Sequence, residues 1–336
     1  MDGALGGLMQ MTELIIIAAV GFVAAKLNYL DKYTNQKMTK LLLNITLPCM
    51  IVASVHGLSA EDAGAIVVPA FLMAGAQFFL LLLTGALIAI VLRVPKKDRA
   101  IWQFMTVGTN TGFIGLPVIA AILGQESIII SSIYIMIIAL FLYSVGFAIL
   151  ENNRERAKRQ ARIEEGKALP VDTESAQMRK RKVSVPWRSM VNPSMVACVI
   201  ALVLFFTGLQ VPDLLQDTMS LLGGITAPIA MLVIGVIMAG TNIRAVLTEV
   251  RLYPYIVVRQ LVLPALFFWG FTAAGISPLL AGVFALMFAM PVGSMTPTFV
   301  EEFDGNATLA AEATVLTTLG AFAAIPLLVI FMGMVA

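Results

Sequence analysis

Histidine is almost absent from this chain: His56 is the one example in 336 residues. Cysteine is nearly so, with Cys49 and Cys198 far apart and each inside an apolar run. A histidine-based metal centre and a disulfide scaffold are both excluded. Charge is scarce as well. Asp, Glu, Lys and Arg make up 12% of the chain, roughly half the share usual in a soluble domain. The 22 basic and 20 acidic residues leave a net charge of +2. No basic surface forms beyond one connecting segment, which excludes a nucleic-acid partner. No GxxxxGK[ST] phosphate loop occurs, so the chain has no such ATP cradle.

What fills the chain is apolar, at 59% of residues. A water-soluble fold could not hide that much apolar surface. A membrane-crossing helix needs about 20 apolar residues, and ten stretches qualify: roughly 8–27, 38–57, 66–92, 100–123, 127–150, 191–208, 217–240, 252–275, 279–300 and 308–334. Runs such as Phe78-Phe79-Leu80-Leu81-Leu82-Leu83 do not alternate, which argues against a barrel. The start, Met1-Asp2, has no basic n-region and the first run no small-residue cleavage site, so no cleavable signal is expected. The expectation is an all-α integral membrane protein of ten spans.

Basic residues orient those spans. Lys26, Lys32, Lys37 and Lys40 lie between spans one and two, and Arg93, Lys96, Lys97 and Arg99 between three and four. The 151–190 segment holds eleven more, and Arg244 and Arg251 lie between seven and eight. Twenty-one of the 22 lysines and arginines thus share one face, which should be cytoplasmic, with both termini outside. Trp102, Trp187, Tyr253 and Tyr255 fall at that end, where an aromatic belt is expected. The connection with Glu301, Glu302 and Asp304 is acidic, which the rule tolerates because it counts Lys and Arg.

The halves 1–150 and 191–336 flank the charged linker 151–190 and resemble each other. Thr46-Leu47-Pro48 matches Thr226-Ala227-Pro228, Pro69-Ala70 matches Pro264-Ala265, and Pro117-Val118 matches Pro291-Val292. Five spans are an odd number, so the second copy must enter from the opposite face. An inverted repeat follows, a common construction for carriers that alternate between two openings.

Span four reads Gly108-Thr109-Asn110-Thr111-Gly112-Phe113-Ile114-Gly115-Leu116-Pro117. Pro117 has no N–H and its ring obstructs the carbonyl of Phe113, so an interruption is expected over 111–117. Span nine mirrors it with Met290-Pro291-Val292-Gly293-Ser294-Met295-Thr296-Pro297. In lipid, freed backbone groups are tolerated only against protein or a water-filled cavity. Two broken helices crossing near the midplane would present positively polarised N-termini to an anion, while carbonyl ends could hold a cation. The substrate residues expected there are Asn110, Thr111, Gly112, Pro117, Pro291, Gly293 and Ser294, with Asn110 donating its amide to a carboxylate. The alternative is a proline-kinked helix whose Asn110 bonds a neighbouring helix. Thr46 and Thr226 stand as further site residues or as hydroxyls resting on their own backbone.

These motifs resemble the auxin efflux carrier family, which includes the plant PIN carriers and bacterial permeases associated with malate and malonate. The resemblance rests on Asn110 to Pro117, Leu47-Pro48, Asn192-Pro193, Met290-Pro291 and the Thr317-Thr318 to Ile325-Pro326 region. It covers the chain apart from the linker. It implies two inverted five-helix repeats, scaffold and transport domains each drawn from both, and a carboxylate held at the crossing of helices four and nine. The motif asparagine carries over to Asn110 and the motif proline to Pro117. Plant members have a second asparagine near the proline of span nine, where this chain has Val292, Gly293 and Ser294. That departure favours a small organic acid over an auxin-like substrate.

Arg259 is the single basic residue well inside a span, about 10 Å deep at 1.5 Å per residue. It either snorkels to headgroups or pairs at an inner gate with Glu312 or Glu301. Glu312 is the best carboxylate for coupling to a cation. Glu13 and His56 lie near the outer face, where water solvates them. No Asp or Glu occupies the central part of any span, which disfavours a cation substrate. The reading is a secondary carrier of a small organic anion, without enzymatic activity or cofactor, in the cell membrane. Coupling to H+ or Na+ and assembly as a homodimer stay open. The competing reading is a receptor signalling through 151–190.

Overall fold

The computed structural model describes residues 2–55, 63–164, 193–240 and 249–335. His56, Trp187 and most of the 151–190 linker fall outside these. Regular structure among the described residues is helical apart from one isolated bridge. In chain order the helices are α1 (Asp2–Lys26), α2 (32–53), α3 (Ala63–Val91), α4a (Arg99–Val107), α4b (Thr111–Leu123), α5 (126–164), α6 (Pro193–Thr207), α7 (Asp213–Gly240), α8 (Leu252–Ala273), α9a (Pro278–Ala289), α9b (Thr296–Glu302) and α10 (Ala307–Val335). Among the described residues, five stretches are long and apolar enough to cross a membrane: Val67–Val91, Glu126–Arg159, Asp213–Gly240, Leu252–Ala273 and Ala307–Val335. Large apolar side chains such as Leu72, Val91 and Trp269 lie on their outer surfaces, as lipid-facing positions would. α5 stays helical past the boundary expected at 150, to Glu164. Near its end, Arg154 reaches Asp304 at 2.8 Å, in the turn between α9b and α10.

Among the described residues, prolines follow three of the four places where the helices widen; the fourth, Leu142–Gly146, has none. Pro48, Pro117 and Pro264 are each the second residue of an α-helical stretch that follows a five-residue wide turn, at Leu42–Thr46, Thr111–Gly115 and Val258–Val262. A proline ring obstructs the carbonyl four residues back. One extra residue in the preceding turn relieves that crowding. Pro69 and Pro326 instead lie inside continuous helices. The sequence match of Pro69 with Pro264 therefore does not extend to local geometry.

α1 packs along the second half of α7, and α2 lies on α6 and the first half of α7. α3 packs on α4a and α5, while α10 touches α1, α8 and α9b. The α1–α7 contact is backbone against backbone. A Cβ built on Gly21 would collide with the Leu232 carbonyl, and one on Gly235 with the Ala18 carbonyl and the Phe22 amide. Small residues that admit close approach are how helices hold each other where lipid removes the hydrophobic drive.

A second core lies at the basic end, where Trp102, Phe104, Phe147, Tyr255 and Val300 pack together. Trp102 and Tyr255 are buried there, edge to face at 5.2 Å. They do not form the aromatic belt expected of them; each finds the other across α4a and α8 instead. Tyr253 is exposed, as a belt residue would be.

Candidate functional site

α4a stops at Val107 and α9a at Ala289, and the two unwound segments meet. The Asn110 N–H donates to the Pro291 carbonyl at 2.8 Å, and the Gly293 N–H donates to the Gly108 carbonyl at 2.7 Å. Thr109 and Val292 thereby form a one-rung antiparallel bridge. The Thr296 hydroxyl also donates to the Gly108 carbonyl, at 3.2 Å. Backbone groups freed by unwinding are thus satisfied mutually, as burial demands. Proximity favours glycine here: a Cβ on Gly293 would lie 3.0 Å from the Gly108 carbonyl oxygen, which would have to give way by a few tenths of an ångström.

The unwound stretch is 108–110, not the 111–117 expected. Pro117 marks where the wide turn Thr111–Gly115 gives way to regular α-helix, the extra residue in that turn making room for its ring. α4b then begins with Thr111, Gly112 and Phe113, whose amides lie in a first turn that has no intrahelical carbonyl for them. Asn110 is buried, and its amide nitrogen donates to the Ser294 hydroxyl at 3.0 Å. Ser294 is exposed. Pro117 and Pro291 are buried, while Gly112 borders open space. Asn110, Thr111, Pro291, Gly293 and Ser294 therefore cluster at one crossing.

Two small cavities flank it. One, of about 20 Å³, touches Ile114, Val118, Ile234, Pro291 and Thr318; the other, of about 30 Å³, touches Phe113, Ile234, Ser294, Thr314 and Thr318. Each has about the room of one water. An organic acid would require α1 and α7 to part from α4b, α9 and α10.

Behind the crossing lies a polar support. Arg259 is fully buried, with its guanidinium donating to the Met290 carbonyl at 2.6 Å and the Thr106 carbonyl at 3.3 Å. It neither snorkels nor pairs with Glu312 or Glu301. Both acids lie toward the basic end, where Glu301 is exposed. Gln260 donates to the Ala289 and Thr317 carbonyls, and the Thr317 hydroxyl accepts the Val292 N–H at 3.0 Å. Thr314 reaches the Gly293 carbonyl at 3.4 Å. The sequence signal for this support was the polar pair Arg259-Gln260 inside an apolar span, and Thr314, Thr317 and Thr318 on one face of span ten.

Thr46 and Thr226 are buried away from the crossing. Thr46 donates to the Leu42 carbonyl at 3.4 Å, and the Thr226 hydroxyl has no partner. Glu312 lines a separate cavity of about 200 Å³ at the basic end, with Asp98, Glu249, Arg251 and Asn306. Burial, with Glu249 nearby, holds the Asp98 carboxyl above the usual carboxylate range despite Lys97 and Arg251. A raised folded-state pKa adds stability at low pH that is lost as pH rises through that value. Asp98→Asn should therefore match wild type in thermal unfolding at acid pH and exceed it at neutral pH. A variant less stable at neutral pH would contradict this.

Several long apolar helices, beside two interrupted ones joined backbone to backbone, are the make-up of a multi-pass membrane protein. The family model described as membrane transport protein matches residues 7–330. The chain belongs to this family, that of the auxin efflux carriers, which are transporters rather than enzymes. No curated protein matches the chain.

Proposed function

We propose that this chain is a secondary carrier moving a small carboxylate across the cell membrane by alternating access. The observation that carries the reading is the antiparallel joining of Gly108–Asn110 to Pro291–Gly293, with Asn110 and Ser294 side by side. The first turn of α4b, whose Thr111, Gly112 and Phe113 amides have no intrahelical acceptor, offers about half a positive charge to an anion. Asn110 adds an amide donor, and carboxylate hydrogen bonds are among the stronger ones. The substrate would sit between the crossing and the apolar walls from α1 and α7.

On this reading the ten segments are spans, with halves 1–150 and 191–336 as inverted repeats. The crossing then lies near the midplane and moves with α3, α5, α8 and α10 against α1, α2, α6 and α7. Orientation has its own test. Single cysteines at positions 60 and 165, in a chain lacking Cys49 and Cys198, should react with an impermeant thiol reagent from outside and inside respectively. The reverse pattern would overturn the topology. The function is tested by proteoliposome uptake across a panel of mono- and dicarboxylates, with proton and sodium gradients imposed separately. Saturable uptake of one acid is expected; no uptake of any, from correctly inserted protein, would sink the reading.

A further inference from the structure

Arg259 presents a problem that the carrier reading does not solve. A guanidinium buried in an apolar interior is costly unless its charge is balanced. No carboxylate pairs with it among the described residues. Its partners are two carbonyls, Thr106 and Met290. Thr106 belongs to the last turn of α4a, and Met290 is the C-cap of α9a. Each helix C-terminus carries about half a negative charge, so the two together offset about one positive charge. The Tyr255 ring lies 5.9 Å from the guanidinium carbon and adds its negative face. Gln260 takes the neighbouring Ala289 carbonyl. The carbonyls at this end of the joint are thus held by side chains of α8.

We propose that Arg259 is the resident cation of the crossing: its guanidinium occupies the carbonyl pair that a coupling sodium ion would need, so the crossing holds no sodium site. Sodium binds through oxygen ligands, and at these two oxygens it would have to sit within a few ångströms of the guanidinium already bonded to them. A fixed positive charge beside them would also repel the ion. The two helix C-termini face Arg259, while the N-terminus of α4b remains for an anionic substrate. This assignment rests on the crossing being a transport site, but its first tests read the protein without transport.

Purified wild type is unfolded thermally in sodium chloride and in choline chloride at equal ionic strength. The midpoints should agree; a saturable rise specific to sodium would overturn the proposal, since a ligand of the native state stabilises it by mass action. Arg259→Lys and Arg259→Met are then compared. Methionine keeps much of the apolar stem and loses the charge, whereas lysine keeps the charge. The lysine variant should retain most of the wild-type midpoint, with methionine several degrees lower. Equal losses in the two, including failure of both to fold, would show that charge is not what the site needs and would overturn it. Finally, carboxylate uptake should proceed at the same rate with sodium replaced by choline. If no carboxylate is taken up at all, the carrier reading fails while the unfolding tests still decide the role of Arg259.

Discussion

Asn110→Ala should lower carboxylate uptake by about tenfold to a hundredfold while the protein still reaches the membrane. The size follows from the bond removed. A hydrogen bond to a charged group contributes roughly 1.5–3 kcal/mol, and each 1.4 kcal/mol is about a factor of ten in affinity. The fold should survive because the side chain of Asn110 makes one protein bond, to Ser294, while the joint uses its main chain. Asn110→Asp is a sharper probe, since it has nearly the same shape and places a negative charge where the substrate carboxylate would lie. It should be at least as impaired as the alanine variant. Unchanged transport kinetics in the alanine variant would remove Asn110 from the site and leave it as an interhelical contact.

The largest structural effect is expected at Gly235. A side chain there meets the Ala18 carbonyl and the Phe22 amide of α1, which are backbone atoms and cannot rotate away. Overpacking a core costs typically about 1–3 kcal/mol, and here two helices must separate along their contact to relieve it. Gly235→Leu should fail to give monodisperse protein in detergent or unfold many degrees below wild type. Gly240→Leu is the matched control, since a Cβ there has open space. Equal stability of the two variants would mean that α1 and α7 are not locked together.

Much of this architecture was legible because lipid leaves few ways to place a backbone. Apolar runs of the right length located the helical stretches closely, and paired prolines in spans four and nine located the joint within a few residues. The error in span four has a plain cause. Proline reports where regular α-helix resumes, whereas unwinding occurs upstream, at Gly108, where the backbone leaves the helical region. Arg259 was misread because depth along a helix does not say which way a long side chain turns. Its partners are main-chain oxygens that become free only when two other helices are interrupted. Trp102 and Tyr255 were misread similarly: an aromatic residue at a span end looks the same whether it faces headgroups or another ring. Thr46 and Thr226 had the residue type of a site but line neither cavity beside the joint, although α7, which carries Thr226, reaches it further along through Ile234.

The joint between Gly108–Asn110 and Pro291–Gly293 is made of main-chain atoms. Nearly every residue carries an amide and a carbonyl, so away from the close approach at Gly108 and Gly293 the joint itself asks little of side-chain identity. Neighbouring residues such as Asn110 and Ser294 can then be exchanged one at a time without dismantling the machine. A scaffold of this kind lets chemical preference drift during evolution while the backbone frame stays the same.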